Sequence, residues 1–252
     1  MFKISQQKYT KIKIIKYFYY FCPKQNTKLY ELEIAFLKTN INMRIFVETT
    51  PSTNLLLNEI VENNKNAGIN LPDFFCLTAN FQTAGKGQGN KVWMSEKGEN
   101  ILASFYFQPQ ILPKQQIYFN YFFALTIRKI ISLYVNNVKI KKPNDIYVNA
   151  QKIAGILIEH HIQGGKLNYS IAGVGININQ TQFNAILPNP TSLKLIVGKE
   201  FNREIILEEI VQAGKLYYDK LQTGAFKELE NEYESYIFNP SLLHKSFHAP
   251  TT

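Results

Sequence analysis

The chain of 252 residues predicts an α+β fold, in which a mixed, mainly antiparallel sheet is flanked by helices. Three observations carry this. Short apolar runs at Val138–Lys141, Ile146–Val148, Ile153–Ile162 and Leu167–Val174 are separated only by turn residues, so they read as successive hairpins. Two longer segments, 115–136 and 202–221, have the length and apolar spacing of helices. Finally, successive hairpins exclude a doubly wound parallel sheet, whose strands need long crossover connections.

The elements follow in order. Residues 1–42 show weak periodicity and are read as an N-terminal extension. Met43 is favoured as the native start, because a strand, Arg44–Val47, begins beside it. Ser52-Thr53-Asn54 supplies the chemistry of a helix start. That helix runs to about Ala67, with Leu55, Leu56, Ile60 and Val61 on its buried side and Gly68 as its stop. Phe74–Thr78 is a buried strand, and a polar, glycine-rich loop follows from Gln82 to Val92. Ile101–Phe107 alternates as a strand. The apolar richness of 115–136 marks a deeply buried helix. Asn149-Ala150-Gln151 and Gly164-Gly165 form the later turns. The segment 202–221 is amphipathic, and the tail beyond Tyr236 has no assigned element.

Composition narrows the classes. Apolar residues make up 45% and charged residues 19%, as expected of a globular chain rather than a disordered one. The net charge is +9, but residues 1–42 hold eight Lys against two Glu, so most of the excess sits there. A basic protein invites a nucleic-acid reading. Here the blander reading of a solvated Lys-rich extension is preferred, and nucleic acid is not an expected partner. Cys22 and Cys76 are far apart with no CxxC, which disfavours a disulfide framework or a Cys-based zinc site and fits a reducing cytoplasm. No apolar run is long enough for a membrane span. His160 and His161 read as strand residues rather than metal ligands, and no metal site is predicted.

Four motifs carry the chemistry. In the loop Gln82 to Trp93, alternating Gly85, Gly87 and Gly89 let the backbone turn N–H groups toward an anion, and Lys86 and Lys91 add charge. On the residues alone it reads equally as a plain hairpin connection. Lys141-Lys142-Pro143-Asn144-Asp145 is a turn between strands. In Lys152 to Glu159, Gly155 inside an apolar strand points to a bulge or a closely approaching ligand. The fourth is Gly173-Val174-Gly175-Ile176-Asn177-Ile178-Asn179.

In this order, with Ser52-Thr53-Asn54 ahead of them, these motifs resemble the catalytic domain of biotin–protein ligases over roughly residues 44–225. The family pattern has an STN start, a Q-x-A-G-R-G-x loop ending in Trp, K-W-P-N-D, K-x-x-G-I-L-x-E and G-x-G-x-N. The resemblance implies a sheet backed by helices in the class II synthetase-like biotin/lipoate ligase fold, over residues 43–225. It also implies a two-step reaction. Biotin and ATP, with Mg²⁺, give biotinyl-5′-AMP, and the acyl group then passes to one Lys of a biotin carboxyl carrier domain. By the same resemblance, Ser52, Thr53, Asn54, Gln82, Gly85, Lys86, Gly87, Lys152 and Gly155 bind biotin. Gly89, Lys91, Trp93, Asn144, Asp145 and Asn177 line the nucleotide side, with Trp93 closing over the intermediate. Lys86 and Lys152 are the catalytic cations. A homodimer through a sheet edge is one use the family makes of that surface.

Three departures stand out. Lys86 replaces the family's Arg, losing its bidentate fork. Lys142 replaces the Trp before Pro-Asn-Asp, which predicts a missing aromatic wall in the pocket. Residues 226–252 are too few for the SH3-like barrel that often follows, so that barrel is expected to be absent or a remnant. The alternative of the same fold is a lipoate or octanoate ligase, whose R-R-x-S-G-G-G-x loop and nearby His are not found here. The alternative of another class is a nucleic-acid-binding protein.

Overall fold

The structure, a computed structural model, describes residues 11–21, 28–39 and 42–239. Cys22, His244 and His248 lie outside the described residues. One sheet of nine strands organises the chain, in the order β1-β2-β3-β4-β5-β9-β8-β7-β6. Its strands are β1 (Lys11–Phe21), β2 (Lys28–Thr39), β3 (Asn42–Thr50), β4 (Phe75–Gln82), β5 (Ile101–Phe107), β6 (Val138–Lys141), β7 (Asp145–Val148), β8 (Gln151–Gln163) and β9 (Lys166–Ile176). The helices are α1 (Thr53–Asn66), α2 (Gln116–Ile131), α3 (Leu193–Val197), α4 (Arg203–Gln222) and α5 (Phe226–Ser235). Every pairing is antiparallel except β3 with β4, which α1 connects. The mixed, mainly antiparallel sheet is therefore present, and it extends into the segment 1–42, where β1 and β2 form a hairpin beside β3.

Period-two alternation distributes residues to the two faces. On β5, Ile101, Ala103, Phe105 and Phe107 face α2, α4 and α5, while Tyr106 faces α1. On β9, Ala172, Val174 and Ile176 share the first face, and Tyr169 and Ile171 the second. The larger core is an aromatic layer under α2, in which Phe107 meets Phe119, Phe122 and Tyr218 edge-on or tilted. The α1 face is less filled, because Gly155, Gly173 and Gly175 leave the middle of β8 and β9 without side chains.

Several expectations are corrected. In α1 it is Leu57, fully buried, that meets the core, whereas Leu55 is 43% exposed. Helix α2 ends at Ile131, five residues short of the expected end. Helix α5 had not been anticipated. It packs on α2 through the stacked Tyr121–Tyr233 and Tyr118–Phe226 pairs. Beyond it, Ile140 of the edge strand β6 donates to the Tyr236 carbonyl (2.8 Å) and accepts from Phe238 N–H (2.8 Å), so the chain covers that edge itself. Gly68, at φ +73°, does terminate α1. Among the described residues no helix is long and apolar enough to cross a membrane.

Candidate active site

A cavity of about 430 Å³ opens on the α1 face, over the glycines of β8 and β9. A bulge brings its floor together. Lys152 pairs with Tyr147 and Ala154 with Ile146, which leaves Ile153 as the extra residue. Residues 152 and 155 are an odd number apart and would otherwise face opposite sides. The bulge sends Ile153 and Ala154 together into the α2 core and puts Lys152 and Gly155 together at the cavity.

The start of α1 makes one wall. Ser52 is the N-cap residue, but its hydroxyl makes no capping bond and lines the cavity. The backbone N–H of Thr53 donates to Gln82 Oε1 at 2.8 Å, and the Thr53 hydroxyl lies 3.1 Å from the same oxygen. Asn54 points into the sheet. Its Nδ2 donates to Glu159 Oε2 (2.7 Å) and the Leu157 carbonyl (3.2 Å), and its Oδ1 accepts from Ser104 (2.6 Å). A Cβ at residue 173 would sit 2.8 Å from Asn54 Cγ, so the glycine there makes room for this amide.

The glycine-rich loop is a β-hairpin rather than a helix start. Gly87 donates to the Lys91 carbonyl, Trp93 donates to the Gly85 carbonyl, and Lys86 bridges Val92. Lys86, Gly87, Lys91 and Trp93 line the cavity. Gly85 is buried behind it, 2.5 Å from the Trp93 carbonyl if given a Cβ, and Gly89 forms the exposed tip at φ +65°. These two glycines shape the hairpin without lining the cavity. The Trp93 indole lies flat against the floor. A Cβ at Gly155 would meet its Cζ3 at 2.9 Å, and one at Gly175 would meet Cζ2 and Nε1 at 2.6 Å. Trp93 Nε1 is buried without a partner.

Opposite stands the charged wall. Lys152 Nζ is 2.7 Å from Asp145 Oδ1 and 5.7 Å from the Trp93 ring. Asp145 is the only carboxylate among the described lining residues, against Lys86, Lys91, Lys141 and Lys152. The cavity therefore favours an anionic ligand. Asn144 closes the turn by donating from Nδ2 to the Ile156 carbonyl (2.6 Å). Asn177, 4% exposed, donates to the Thr191 carbonyl (2.9 Å), while its Oδ1 is buried without a partner.

Lys142 does not line the cavity, and its ammonium pairs with Glu234 of α5 at 2.7 Å. Sequence reasoning missed Lys141 and Tyr147, which line the cavity with the Lys141 ammonium 3.2 Å from the Tyr147 hydroxyl. It also missed the wall formed by Phe183, Leu187, Pro188 and Pro190. That wall is pinned where Lys152 N–H donates to the Asn189 carbonyl and its carbonyl accepts from Thr191. The Pro188-Asn189-Pro190 run was the readable signal, since each proline fixes its φ and Asn189 between them takes the left-handed φ of +47° at a bend.

Other reactive groups are structural. Burial pushes the Cys76 thiol up to about 12. Burial, then the neighbouring His161, pulls His160 down to about 4. His160 bonds Ser170, and His161 stacks on Tyr169. Among the described residues no His, Cys, Asp and Glu side chains group as metal ligands.

Known proteins match this architecture. The model of the biotin/lipoate A/B protein ligase family matches residues 46–177, just over half of the chain. The bifunctional ligase/repressor BirA of Bacillus subtilis is 30% identical over 220 residues, 84% of this chain and 66% of the relative. A biotin–[acetyl-CoA-carboxylase] ligase of Paracoccus denitrificans is 25% identical over 162 residues, covering 62% of this chain and 67% of its own length. The match thus spans about two thirds of these two relatives' length, and only 21% of that of a human biotin–protein ligase. Among solved structures, a biotin protein ligase from Aquifex aeolicus in complex with biotin and ATP superposes with a TM-score of 0.64 at 25% identity, covering 77% of this chain and 78% of that one. With the family model over the sheet and cavity, these likenesses place the chain in the biotin/lipoate A/B protein ligase family.

Proposed function

We propose that this chain is a biotin–protein ligase catalytic domain, activating biotin with ATP and passing it to a lysine of a biotin carboxyl carrier domain. One observation carries the reading. Gln82, Lys86 and Lys152 line the same cavity. The finer assignment, biotin–[acetyl-CoA-carboxylase] ligase, is supported by the Paracoccus relative.

In the first step a carboxylate oxygen of biotin attacks the α-phosphorus of ATP and pyrophosphate leaves. Negative charge gathers at the new acyl–phosphate junction, where Lys152 and Lys86 offset it. Asp145 holds the Lys152 ammonium in place. Asp145 also suits Mg²⁺ arriving with ATP, since that ion is commonly held by one or two carboxylates and substrate phosphates. Asn177 Oδ1, an acceptor left unpaired in the cavity wall, is assigned to an amino group of the nucleotide. In the second step the acceptor lysine, as free amine, attacks the acyl carbon. The C–O bond to AMP breaks, and the amine proton is lost to solvent. Ser52 and Gln82 are assigned to the ureido ring, where unpaired buried polar groups would cost about 1–3 kcal/mol each.

The test is exchange of labelled pyrophosphate into ATP by the whole chain. Biotin is expected to drive exchange, lipoate is not, and Lys152→Met is expected to abolish it. Equal exchange with lipoate would favour the sister activity instead.

A further inference from the structure

A buried polar chain links the Gln82 wall to a residue outside the cavity. Glu159 accepts from Asn54 Nδ2 at 2.7 Å, and Asn54 Oδ1 accepts from Ser104 at 2.6 Å. With its proton on Asn54, the Ser104 hydroxyl accepts from that of Thr53, 2.8 Å away. Thr53 N–H in turn donates to Gln82 Oε1 at 2.8 Å. Thr53, Asn54 and Ser104 are 4%, 3% and 0% exposed, so water cannot replace a lost partner without opening the packing.

Each group's polarity follows from its neighbour. A carboxylate accepts only, so Asn54 must turn its amide nitrogen toward Glu159 and its oxygen toward Ser104. A backbone N–H donates only, so Gln82 must turn Oε1 toward Thr53. Its Nε2 is thereby left beside Gly85, where an added Cβ would lie 3.0 Å away, and it offers two N–H donors to the cavity.

We infer that Glu159 is a positioning residue for the ligand, acting through Asn54 and Thr53 to present the Gln82 amide as a donor to the ureido oxygen of biotin. This rests on the biotin reading above. Glu159 touches no substrate. It fixes the first turn of α1 against β8, and Thr53 aims Gln82 from that turn. Gly173 is part of the device, because any side chain there would strike the Asn54 amide.

The experiment measures pyrophosphate exchange with biotin and with 2-iminobiotin, in which nitrogen carrying N–H replaces the ureido oxygen. Wild type is expected to prefer biotin. Glu159→Leu is expected to raise KM for biotin about tenfold, to leave KM for ATP within twofold, and to narrow the preference over 2-iminobiotin. Glu159→Gln, which keeps an acceptor for Asn54, is expected to restore both values. Gln82→Glu, which presents only acceptors, is expected to reverse the preference. Should Glu159→Leu fail to fold, Ser104→Ala interrupts the same chain and carries the same expectation. Equal rises in both KM values, or no rise, would overturn the positioning role. A Gln82→Glu enzyme that still prefers biotin would overturn the donor assignment. Failure of the biotin reading is distinct, because wild type would then show no biotin-dependent exchange.

Discussion

Replacing Gly175 with alanine is expected to expel the Trp93 indole from the sheet. The added methyl would lie 2.6 Å from Cζ2 and Nε1 and nearer still to Cε2. Carbon atoms pack at about 3.5–4.0 Å, so the ring must move by roughly an ångström or more. Gly155 is the cross-strand partner of Gly175 and also contacts the ring, so sliding along the floor gives no relief. Overpacking of this kind costs about 1–3 kcal/mol. Against it, the displaced indole regains a hydrogen bond for Nε1, now buried without a partner, a gain of similar size. The net effect on stability is therefore small, a melting shift of no more than about 4 °C. The indole's environment, in contrast, changes from half-buried to wet. Trp93 is the single tryptophan of the chain, so its emission reports this site alone. Gly175→Ala should shift the emission to longer wavelength and increase quenching by acrylamide. Unchanged emission and quenching would refute the glycine seat.

Three further predictions follow from the same geometry. Lys142→Trp should leave KM for biotin within twofold, because this side chain pairs with Glu234 outside the cavity, and should alter stability by less than about 1 kcal/mol; a marked KM change would put residue 142 back in the pocket. Lys86→Arg should slow release of a preformed adenylate about tenfold by adding a second charge-assisted hydrogen bond, measured by chase with unlabelled intermediate; equal release rates would remove the argument. His160, held near 4 by burial, binds fewer protons folded than unfolded between about pH 4 and 6.5, so stability should fall as pH drops through that window, by on the order of 2 kcal/mol. His160→Phe should flatten that slope in denaturant titrations, and an unchanged slope would contradict it.

The layout of the cavity was legible where one residue's chemistry speaks locally. Gly155 within an apolar strand announced a bulge or a closely approaching ligand; the bulge is present, with Ile153 as the extra residue, and what lies on the glycine is the Trp93 ring. The hairpins from β6 to β9 were readable from turn residues and alternation. Contacts between distant segments were not. Asn54 meets Glu159 across 105 residues and Arg203 meets Asn80 across 123, and no local pattern encodes such a pair. The direction in which Lys142 leaves its turn, toward Glu234, was likewise not readable, because a motif supplies a residue type and not a side-chain direction. Helix α5 carried a readable signal that went unused, since Phe226, Leu229 and Tyr233 recur at helical spacing.

The most direct measurement is a structure of the protein bound to a stable sulfamate analogue of biotinyl-5′-AMP. The account predicts the linking sulfamate within about 3.5 Å of both Lys86 Nζ and Lys152 Nζ, with the ureido oxygen on Gln82 Nε2. A linker bound away from either ammonium group would contradict it.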